Sequence, residues 1–339
     1  MKPINKSYIG VFLISLATLM LEISLIRFFS ISQWYHFGFM VVSIALFGMG
    51  ASGVLLYLKK LENPLFYSSI LFSLTTITSF FVTNNLSFDP YKAAINYSHV
   101  LVLGIIYFLL ALPFFFFGII IAWVFSQKQK KSGIIYFYNL SGSAFGTLLA
   151  IPLLTLFYTK IIIIISLIGI SSSIFFINHK KRFLQYFITI FLIIFNIILF
   201  NYSFEVRISE YKELNQALKI PNSELIDTKY NSFSRVDVVK SSFSRYAPGL
   251  SPIYQENLPE QIGIFTDGSN MNAITKNEKL DFLESIPSAL PYNLIKNPEV
   301  LVINAGAGLD VLTALRHNST VTVVESNPII KNILTNEYK

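Results

Sequence analysis

The chain has 339 residues, of which 53% are hydrophobic and only 13% are charged, which is the composition of a membrane protein. It contains no cysteine, so disulfides and thiolate metal ligands are excluded. Its four histidines are scattered along the sequence, and we therefore predict no metal site.

The net charge of +7 is unevenly distributed. Residues 1–204 contain 13 Lys and Arg against three acidic residues, a balance of +10, whereas residues 205–339 contain 13 against 16, a balance of −3. The basic residues of the first part flank apolar segments and do not indicate a nucleic-acid surface. We expect the lipid bilayer as a partner and no nucleic acid.

Seven apolar segments predict an α-helical membrane bundle over residues 1–204. Each approaches or exceeds the roughly 17–25 residues that cross a bilayer as a helix. The first follows Lys2 and Lys6 but is too long for a signal peptide, so we interpret it as an uncleaved span. The segments are approximately 8–30, 36–58, 65–83, 99–126, 134–158, 161–177 and 183–203.

Two ionisable residues and a small-residue motif lie within these spans. Glu22 and Arg27 are five residues apart, so they point about 140° apart on a helix and do not pair with each other. Glu22 is the better candidate for an interhelical contact, whereas Arg27 can reach the membrane interface. Gly142 and Gly146 form a GxxxG motif, which favours close helix packing.

After Phe204 the sequence becomes polar, and we predict three further regions. Residues 205–223 form a linker helix that Pro221 ends. Residues 224–276 form a small antiparallel β-domain, because alternating runs at 224–229, 234–242 and 261–267 are separated by turn signals. Residues 277–339 form the start of a Rossmann-like α/β domain, preceded by a helical stretch over 279–296 with a break at Pro287.

The start of this last domain has the order strand, glycine loop, helix, strand. Glu299–Ile303 and Thr320–Val324 are apolar runs rich in β-branched residues, as buried parallel strands require. Gly306 and Gly308 allow a tight turn and close approach of a ligand. Glu325 follows the second strand, 19 residues after Gly306, near the spacing of about 20 in nucleoside-binding βαβ units, and can accept both hydroxyls of a ribose.

The loop differs from a dinucleotide fingerprint, because Val311 stands where the third glycine would be. We therefore expect an adenosyl ligand without phosphates, such as S-adenosylmethionine, in preference to NAD, and no prosthetic group. The candidate binding residues are Asn304, Gly306, Gly308 and Glu325. The alternative is an ordinary βαβ unit with a glycine turn.

The expected ligand and the loop charges favour opposite sides of the membrane. With the N-terminus inside, the basic loops at 59–60, 128–131 and 180–182 all lie inside, and seven crossings then place residues 205–339 outside. A cytosolic adenosyl donor favours a cytoplasmic C-terminal half at the inner (cell) membrane. That placement requires one segment, most simply the last, to lie in the interface or to re-enter.

The sequence resembles the membrane-bound form of the spermidine synthase (polyamine aminopropyltransferase) family, whose N-terminal half spans the membrane several times. The resemblance covers nearly the whole chain. Residues 21–27 and 136–146 resemble the family in the first half. In the second half the motifs are residues 230–239 (YNSFSRVDVV), 247–252 (APGLSP), 267–270 (DGSN), the glycine loop and residues 324–328 (VESNP).

This resemblance implies a β-domain followed by a Rossmann-like domain that transfers an aminopropyl group from decarboxylated S-adenosylmethionine to a diamine. Gly306 and Gly308 would line the donor, and Glu325 would hold its ribose. Asp267 would border the site, and Glu284 would lie on the substrate side. An amine acceptor is the implied second substrate, and a homo-oligomer is compatible with the sequence.

Departures from the family leave other hypotheses open. Ala307 stands where soluble members have an acidic residue near the donor's amino group, which favours an S-adenosylmethionine-dependent methyltransferase on the same scaffold. Phe282 and Leu283 replace a Tyr-His pair before Glu284, and Asn231 stands where glutamine is common.

The family's general-base aspartate lies on a later strand, so we expect the catalytic residues beyond Lys339 and interpret the chain as an N-terminal fragment. A third hypothesis is a transporter or membrane scaffold with a vestigial soluble domain.

Overall fold

A computed structural model describes residues 6–86, 88–93, 95–178, 181–241 and 244–338. The chain divides into two compact units, Met1–Arg207 and Ile208–Lys339, which we call the helical unit and the C-terminal unit. The boundary lies three residues after the predicted one.

The helices of the helical unit follow the predicted apolar segments closely. They are α1 (Lys6–Ser32), α2 (Phe37–Leu58), α3 (Leu65–Asn85), α4 (Pro90–Ala93), α5 (Tyr97–Gln127), α6 (Ser132–Phe157), α7 (Ile161–Ser173) and α8 (Arg182–Leu199). Short 3-10 turns at Gln129–Lys131, Tyr158–Lys160 and Ile174–Phe176 extend or join them.

Within the described residues, six helical segments are long and apolar enough to cross a membrane. The fifth runs from Gln129 to Phe176 and contains two of the seven predicted segments, because a 3-10 turn joins α6 to α7 without a loop. The backbone leaves helical geometry at Phe157, where φ is −135°. The 48-residue segment is therefore two helices with a turn between them.

α6 runs parallel to α1, and its two motif glycines make the contact. A Cβ atom on Gly142 would lie 2.2 Å from the carbonyl oxygen of Phe12, and one on Gly146 would lie 2.3 Å from that of Leu16. Both glycines are buried. The GxxxG motif therefore packs α6 directly against the backbone of α1, as small residues do between membrane helices.

α7 runs antiparallel to α1. Phe176, just after α7, packs on Gly10 near the start of α1. Ile161, at the other end of α7, lines one small cavity together with Ser24 and Phe28 from the second half of α1. The chain therefore reverses direction between α6 and α7.

α8 packs antiparallel on α7 through polar side chains. The hydroxyls of Thr189 and Ser173 lie 3.2 Å apart, and Gln185 Oε1 accepts a hydrogen bond from Asn178 N at 2.7 Å. Gln185, Thr189 and Asn196 are buried, whereas most of the helix's large apolar side chains are exposed. A helix in the membrane interface turns its polar face to water, so this arrangement favours a spanning α8.

Glu22 lies partly exposed on α1. The structure gives it no hydrogen-bond or ion-pair partner among the described residues, so the expected interhelical polar contact is not formed.

The contact between α1 and α6 leads to a stability prediction. Gly142→Ala places a methyl group against the backbone of α1, and overpacking of this kind costs about 1–3 kcal/mol. Gly133→Ala in the same helix has open space within 4 Å and should be neutral or slightly stabilising. Thermal unfolding of the detergent-solubilised protein should show a lower midpoint only for Gly142→Ala. Equal midpoints for the two variants would contradict the close packing.

The C-terminal unit begins with a four-stranded antiparallel sheet in the order β1-β2-β3-β4. The predicted antiparallel region is therefore present, with a fourth strand that the sequence analysis missed. Its strands are β1 (Glu224–Tyr230), β2 (Arg235–Lys240), β3 (Gln261–Thr266) and β4 (Ser269–Thr275).

The linker before the sheet is mostly not helical. The linker helix predicted over 205–223 is confined to α9 (Glu213–Leu218). The side chain of Asn84 binds the backbone before α9. Its Nδ2 donates to Glu205 O, and its Oδ1 accepts from Arg207 N. These bonds use backbone groups that a helix needs, so the prediction for this segment was too long.

The remainder of the unit consists of short elements. Two 3-10 helices at Leu280–Ser285 and Pro287–Asn293 replace the predicted helical stretch and are separated at Pro287, as expected. The βαβ segment has the predicted bounds: β5 (Glu299–Ile303), α10 (Leu309–Arg316) and β6 (Thr320–Val324), with α11 (Pro328–Asn332) and a π-turn at Ile333–Glu337 after it. β5 and β6 pair in parallel. This two-stranded sheet is the described part of what we predicted as a Rossmann-like domain, and the larger fold stays a prediction.

The four-stranded sheet is covered on both faces. One face packs against α9 through Val239, Phe265 and Leu214. The other packs against the glycine loop and α11, with Ala307 and Ile330 in the same core as the residues of β2 and β3. The glycine loop and α11 therefore share one hydrophobic core with the sheet, which fixes the loop on the sheet.

Candidate functional site

The glycine loop, residues 304–308, alternates between left-handed and other backbone conformations. Asn304, Gly306 and Gly308 have φ values of 55°, 54° and 88°. Such alternation can turn successive backbone N–H groups toward one concavity, which is a common way to bind an anionic or polar ligand group. Gly308 is the N-cap of α10, so the loop also lies at the positive end of a helix dipole.

Glu325 reaches this loop from the end of β6. Its Oε2 accepts a hydrogen bond from Gly306 N at 3.0 Å, and its Oε1 accepts one from Asn327 N at 2.7 Å. Asn304 joins the same corner, since its N–H donates to Val324 O at 2.8 Å and its Oδ1 accepts from Ser326 Oγ at 3.0 Å. The structure therefore brings together the predicted acid, Asn304 and Gly306.

A buried polar network supports Glu325 from the β1–β2 turn. Asn231 Nδ2 donates to Asn327 Oδ1 at 3.0 Å, and Asn327 Nδ2 donates to Ser234 Oγ at 2.8 Å. Asn231, Ser234 and Asn327 are all buried. Buried polar groups that are fully paired hold one geometry. This network therefore fixes the backbone next to Glu325.

Asn272 and Tyr246 border the loop on the other side, and the sequence analysis did not identify them. A Cβ atom on Gly306 would lie 2.7 Å from Asn272 Oδ1, and the Tyr246 hydroxyl lies 3.5 Å from the same oxygen. Gln261 fixes the backbone of Tyr246 by accepting from its N–H at 2.6 Å and donating to its carbonyl at 2.9 Å. The DGSN motif that resembles the family ends two residues before Asn272. Only the close approach of the Gly306 backbone in the structure identifies Asn272 as a neighbour of the loop.

The electrostatic surroundings keep the Tyr246 phenol neutral. Burial raises the pKa of Tyr246, and the carboxylates of Asp310 and Glu213 raise it further. Asp310 is exposed in the first turn of α10. A neutral phenol and an amide beside the loop can donate hydrogen bonds to a polar ligand.

Ala307 faces away from this corner. Its side chain is 5% exposed and lies in the core with Val236, Val238 and Ile264. An acidic side chain in the same orientation would be buried among apolar groups at a large cost. The packing therefore accounts for the alanine at this position. Soluble members of the family that the sequence resembles have an acidic residue there.

The two predicted substrate-side residues have structural partners elsewhere. Asp267, in the β3–β4 turn, accepts a hydrogen bond from Arg235 N at 2.8 Å through Oδ1, and its carbonyl accepts from Lys212 Nζ. Glu284 pairs with Arg316 Nε at 2.9 Å, at the C-terminal end of α10. The glycine loop is at the opposite end of that helix, about 12 Å away along its axis. The structure therefore does not place Glu284 beside the loop.

Comparison with known proteins assigns no family: no family model matches the chain, and no curated protein or solved structure matches it. The function must therefore be argued from the site itself. Among the described residues, no group of three or more His, Asp or Glu side chains is placed to hold a metal ion.

Proposed function

We propose that the protein is a membrane-anchored transferase whose C-terminal unit binds an adenosyl donor at the glycine loop. The observation that supports this proposal is the hydrogen bond between Glu325 and Gly306, because a carboxylate beside the loop backbone is the group that would accept the hydroxyls of a ribose. The carboxylate accepts two backbone N–H groups, and a ribose would offer two hydroxyls to its remaining lone pairs. The bilayer that anchors the protein would be the cell membrane.

The reaction that we propose first is aminopropyl transfer from decarboxylated S-adenosylmethionine to a diamine, as the resemblance implies. The amine nitrogen would attack the carbon next to the donor's sulfonium, the carbon–sulfur bond would break, and methylthioadenosine would leave with the electron pair. The amine then loses a proton to a base. Tyr246 and Asn272 are polar side chains of the β-domain that border the loop, and they would lie near the acceptor.

A second candidate is methyl transfer from S-adenosylmethionine. The resemblance favours it at position 307, because soluble members of the family have an acidic residue near the donor's amino group where this chain has Ala307, whose side chain packs in the core. Both candidates would bind the adenosyl group at the same glycine loop. They differ in the group that is transferred from the sulfonium sulfur, which is aminopropyl in one and methyl in the other.

Titration calorimetry on the purified full-length protein in detergent tests the proposal. We expect binding of decarboxylated S-adenosylmethionine and of methylthioadenosine, and no binding of NAD. Tighter binding of S-adenosylmethionine than of its decarboxylated form would favour methyl transfer as the reaction and contradict aminopropyl transfer. Binding of none of the adenosyl compounds would contradict both candidates and leave the transporter or scaffold hypothesis.

A cytosolic donor alone would favour a cytoplasmic C-terminal unit. The binding experiment uses purified protein, so its outcome does not depend on the side of the membrane.

A further inference from the structure

The helical unit has two ends, and the basic loops lie at one of them. At this end the ring of Tyr8 stacks on Tyr138 with 5.4 Å between centroids, and Lys128 Nζ lies 5.1 Å from the Tyr8 ring. Trp123 Nε1 donates to Leu61 O at 3.2 Å, which joins the end of α5 to the loop after α2. We call this end the lysine face.

The opposite end is where the chain leaves the unit, and we call it the exit face. Phe28 and Phe80 meet there with ring centroids 4.8 Å apart, near the ends of α1 and α3. Phe204 N donates to Thr159 O at 3.1 Å, so the segment after α8 lies against the turn between α6 and α7. Together with Asn84, which holds Arg207, these contacts place the last residues of the unit on the exit face.

The helix directions connect the two faces in a regular alternation. α1, α3, α6 and α8 run toward the exit face, and α2, α5 and α7 run back toward the lysine face. The parallel contact of α6 with α1 and the antiparallel contacts of α7 with α1 and of α8 with α7 establish the last three crossings. An odd number of crossings therefore separates Lys6 from Arg207.

The two faces differ strongly in charge. Among the described residues, the lysine face has eight cationic side chains and one acidic one, Glu62, whereas the exit-face end has four cationic and two acidic side chains. The eight are Lys6, the pair Lys59 and Lys60, the group Lys128, Lys130 and Lys131, and the pair Lys181 and Arg182. The exit-face residues are Arg27, Lys92, Lys160 and Arg207, with Asp89 and Glu205.

The cations of the lysine face are not neutralised within the protein. None of the eight has an ion-pair partner among the described residues, whereas Lys92 on the exit face pairs with Asp89 at 3.2 Å. Burial and the neighbouring Lys131 lower the pKa of Lys128, as expected for crowded ammonium groups without a counter-ion. The anionic lipids of a cytoplasmic leaflet would supply that missing negative charge.

We infer that the lysine face is cytoplasmic and that the C-terminal unit lies on the extracytoplasmic side of the membrane. Short cytoplasmic loops collect Lys and Arg, and the bias between the two faces here is eight to four. The described part of residues 208–339 contains no helix long and apolar enough to cross the membrane, so the unit stays on the side where the chain emerges. The inference rests on the helical unit and is independent of the proposed ligand.

This orientation restricts where the glycine loop can obtain a ligand. This consequence, unlike the orientation, rests on the proposed function: a nucleoside at the glycine loop would come either from the cytosol by transport or from an extracytoplasmic reaction that releases it.

Cysteine accessibility tests the orientation, and the native chain is suited to it because it has no cysteine. Three single variants at exposed positions are needed: Gln129→Cys on the lysine face, Ile95→Cys on the exit face and Ile253→Cys in the C-terminal unit. Spheroplasts expressing each full-length variant are treated with a membrane-impermeant maleimide before and after lysis, with the cysteine-free protein as the blank.

We expect Ile95→Cys and Ile253→Cys to be labelled in intact spheroplasts and Gln129→Cys only after lysis. The reverse pattern would overturn the inference, and so would labelling of Gln129→Cys and Ile253→Cys on the same side. Failure of the ligand titration in detergent would contradict the proposed function and leave this result unchanged, so the two proposals can fail separately.

Discussion

Replacing Asp237 by alanine is expected to destabilise the C-terminal unit by about 3–5 kcal/mol. Asp237 is fully buried in β2, where Arg235 donates to it from Nε at 2.9 Å and from Nη2 at 2.7 Å, and Thr228 Oγ1 donates at 2.7 Å. Removing the carboxylate breaks the buried Arg235–Asp237 ion pair by taking away one member, and breaking a buried pair in this way costs more than the pair itself contributes.

Hydrogen exchange of the β2 and β3 amides in the full-length protein measures this effect. A loss of 3–5 kcal/mol corresponds to exchange faster by a factor of at least about 100. Asp227→Ala is the matched control, because Asp227 belongs to the same sheet but forms an exposed ion pair with Lys229, and such pairs contribute about 1 kcal/mol or less. Equal exchange in the two variants would show that the buried pair does not stabilise the sheet.

Glu325→Gln is expected to weaken binding of methylthioadenosine about 100-fold, or about 2.7 kcal/mol. The carboxylate would accept hydrogen bonds from ribose hydroxyls, and bonds to a charged acceptor contribute about 1.5–3 kcal/mol. Glutamine keeps one oxygen that can accept from Gly306 N, whereas its amide nitrogen cannot accept from Asn327 N, so the variant removes the charge and one backbone hydrogen bond together.

Glu299→Gln provides the control for this loss of charge. Glu299 is exposed at the other end of the same two-stranded sheet, paired with Thr320. The same titration should give an unchanged dissociation constant for Glu299→Gln. Equal affinities in the two variants would remove Glu325 from the binding site.

The βαβ segment could be predicted from the sequence because its signals are local. The apolar runs of β5 and β6, the glycines between them and Glu325 after β6 all lie within about 30 residues, and the structure has the strands at the predicted bounds. The spans were equally clear, because hydrophobic length alone defines them. The fifth and sixth predicted segments are two helices, α6 and α7, and the chain reverses between them in a 3-10 turn without a loop.

Elements that depend on distant contacts were harder to predict. The sequence of β4 contains two asparagines and has a weak strand propensity. It forms a strand because the Asp267-Gly268 turn lets it pair antiparallel with β3. The linker helix is shortened by Asn84, more than 120 residues away. For the same reason the sequence did not reveal Asn272 and Tyr246, which reach the glycine loop through folding of the sheet.

Glu284 shows how a resemblance can name a residue whose contacts differ. The motif position is kept, but the segment around it folds as a 3-10 helix, and Glu284 faces Arg316. Its role on the substrate side stays a prediction, whereas its ion pair at the end of α10 is a feature of the structure.

Hydrogen exchange of the full-length protein with and without methylthioadenosine tests the central claim most directly. If the nucleoside binds where Glu325 meets the glycine loop, amides in residues 304–308 and 325–327 should exchange more slowly with ligand, and those of the α1–α6 contact should not change. Binding that leaves these two segments unchanged, or protects a different region, would contradict the assignment of this loop as the nucleoside site.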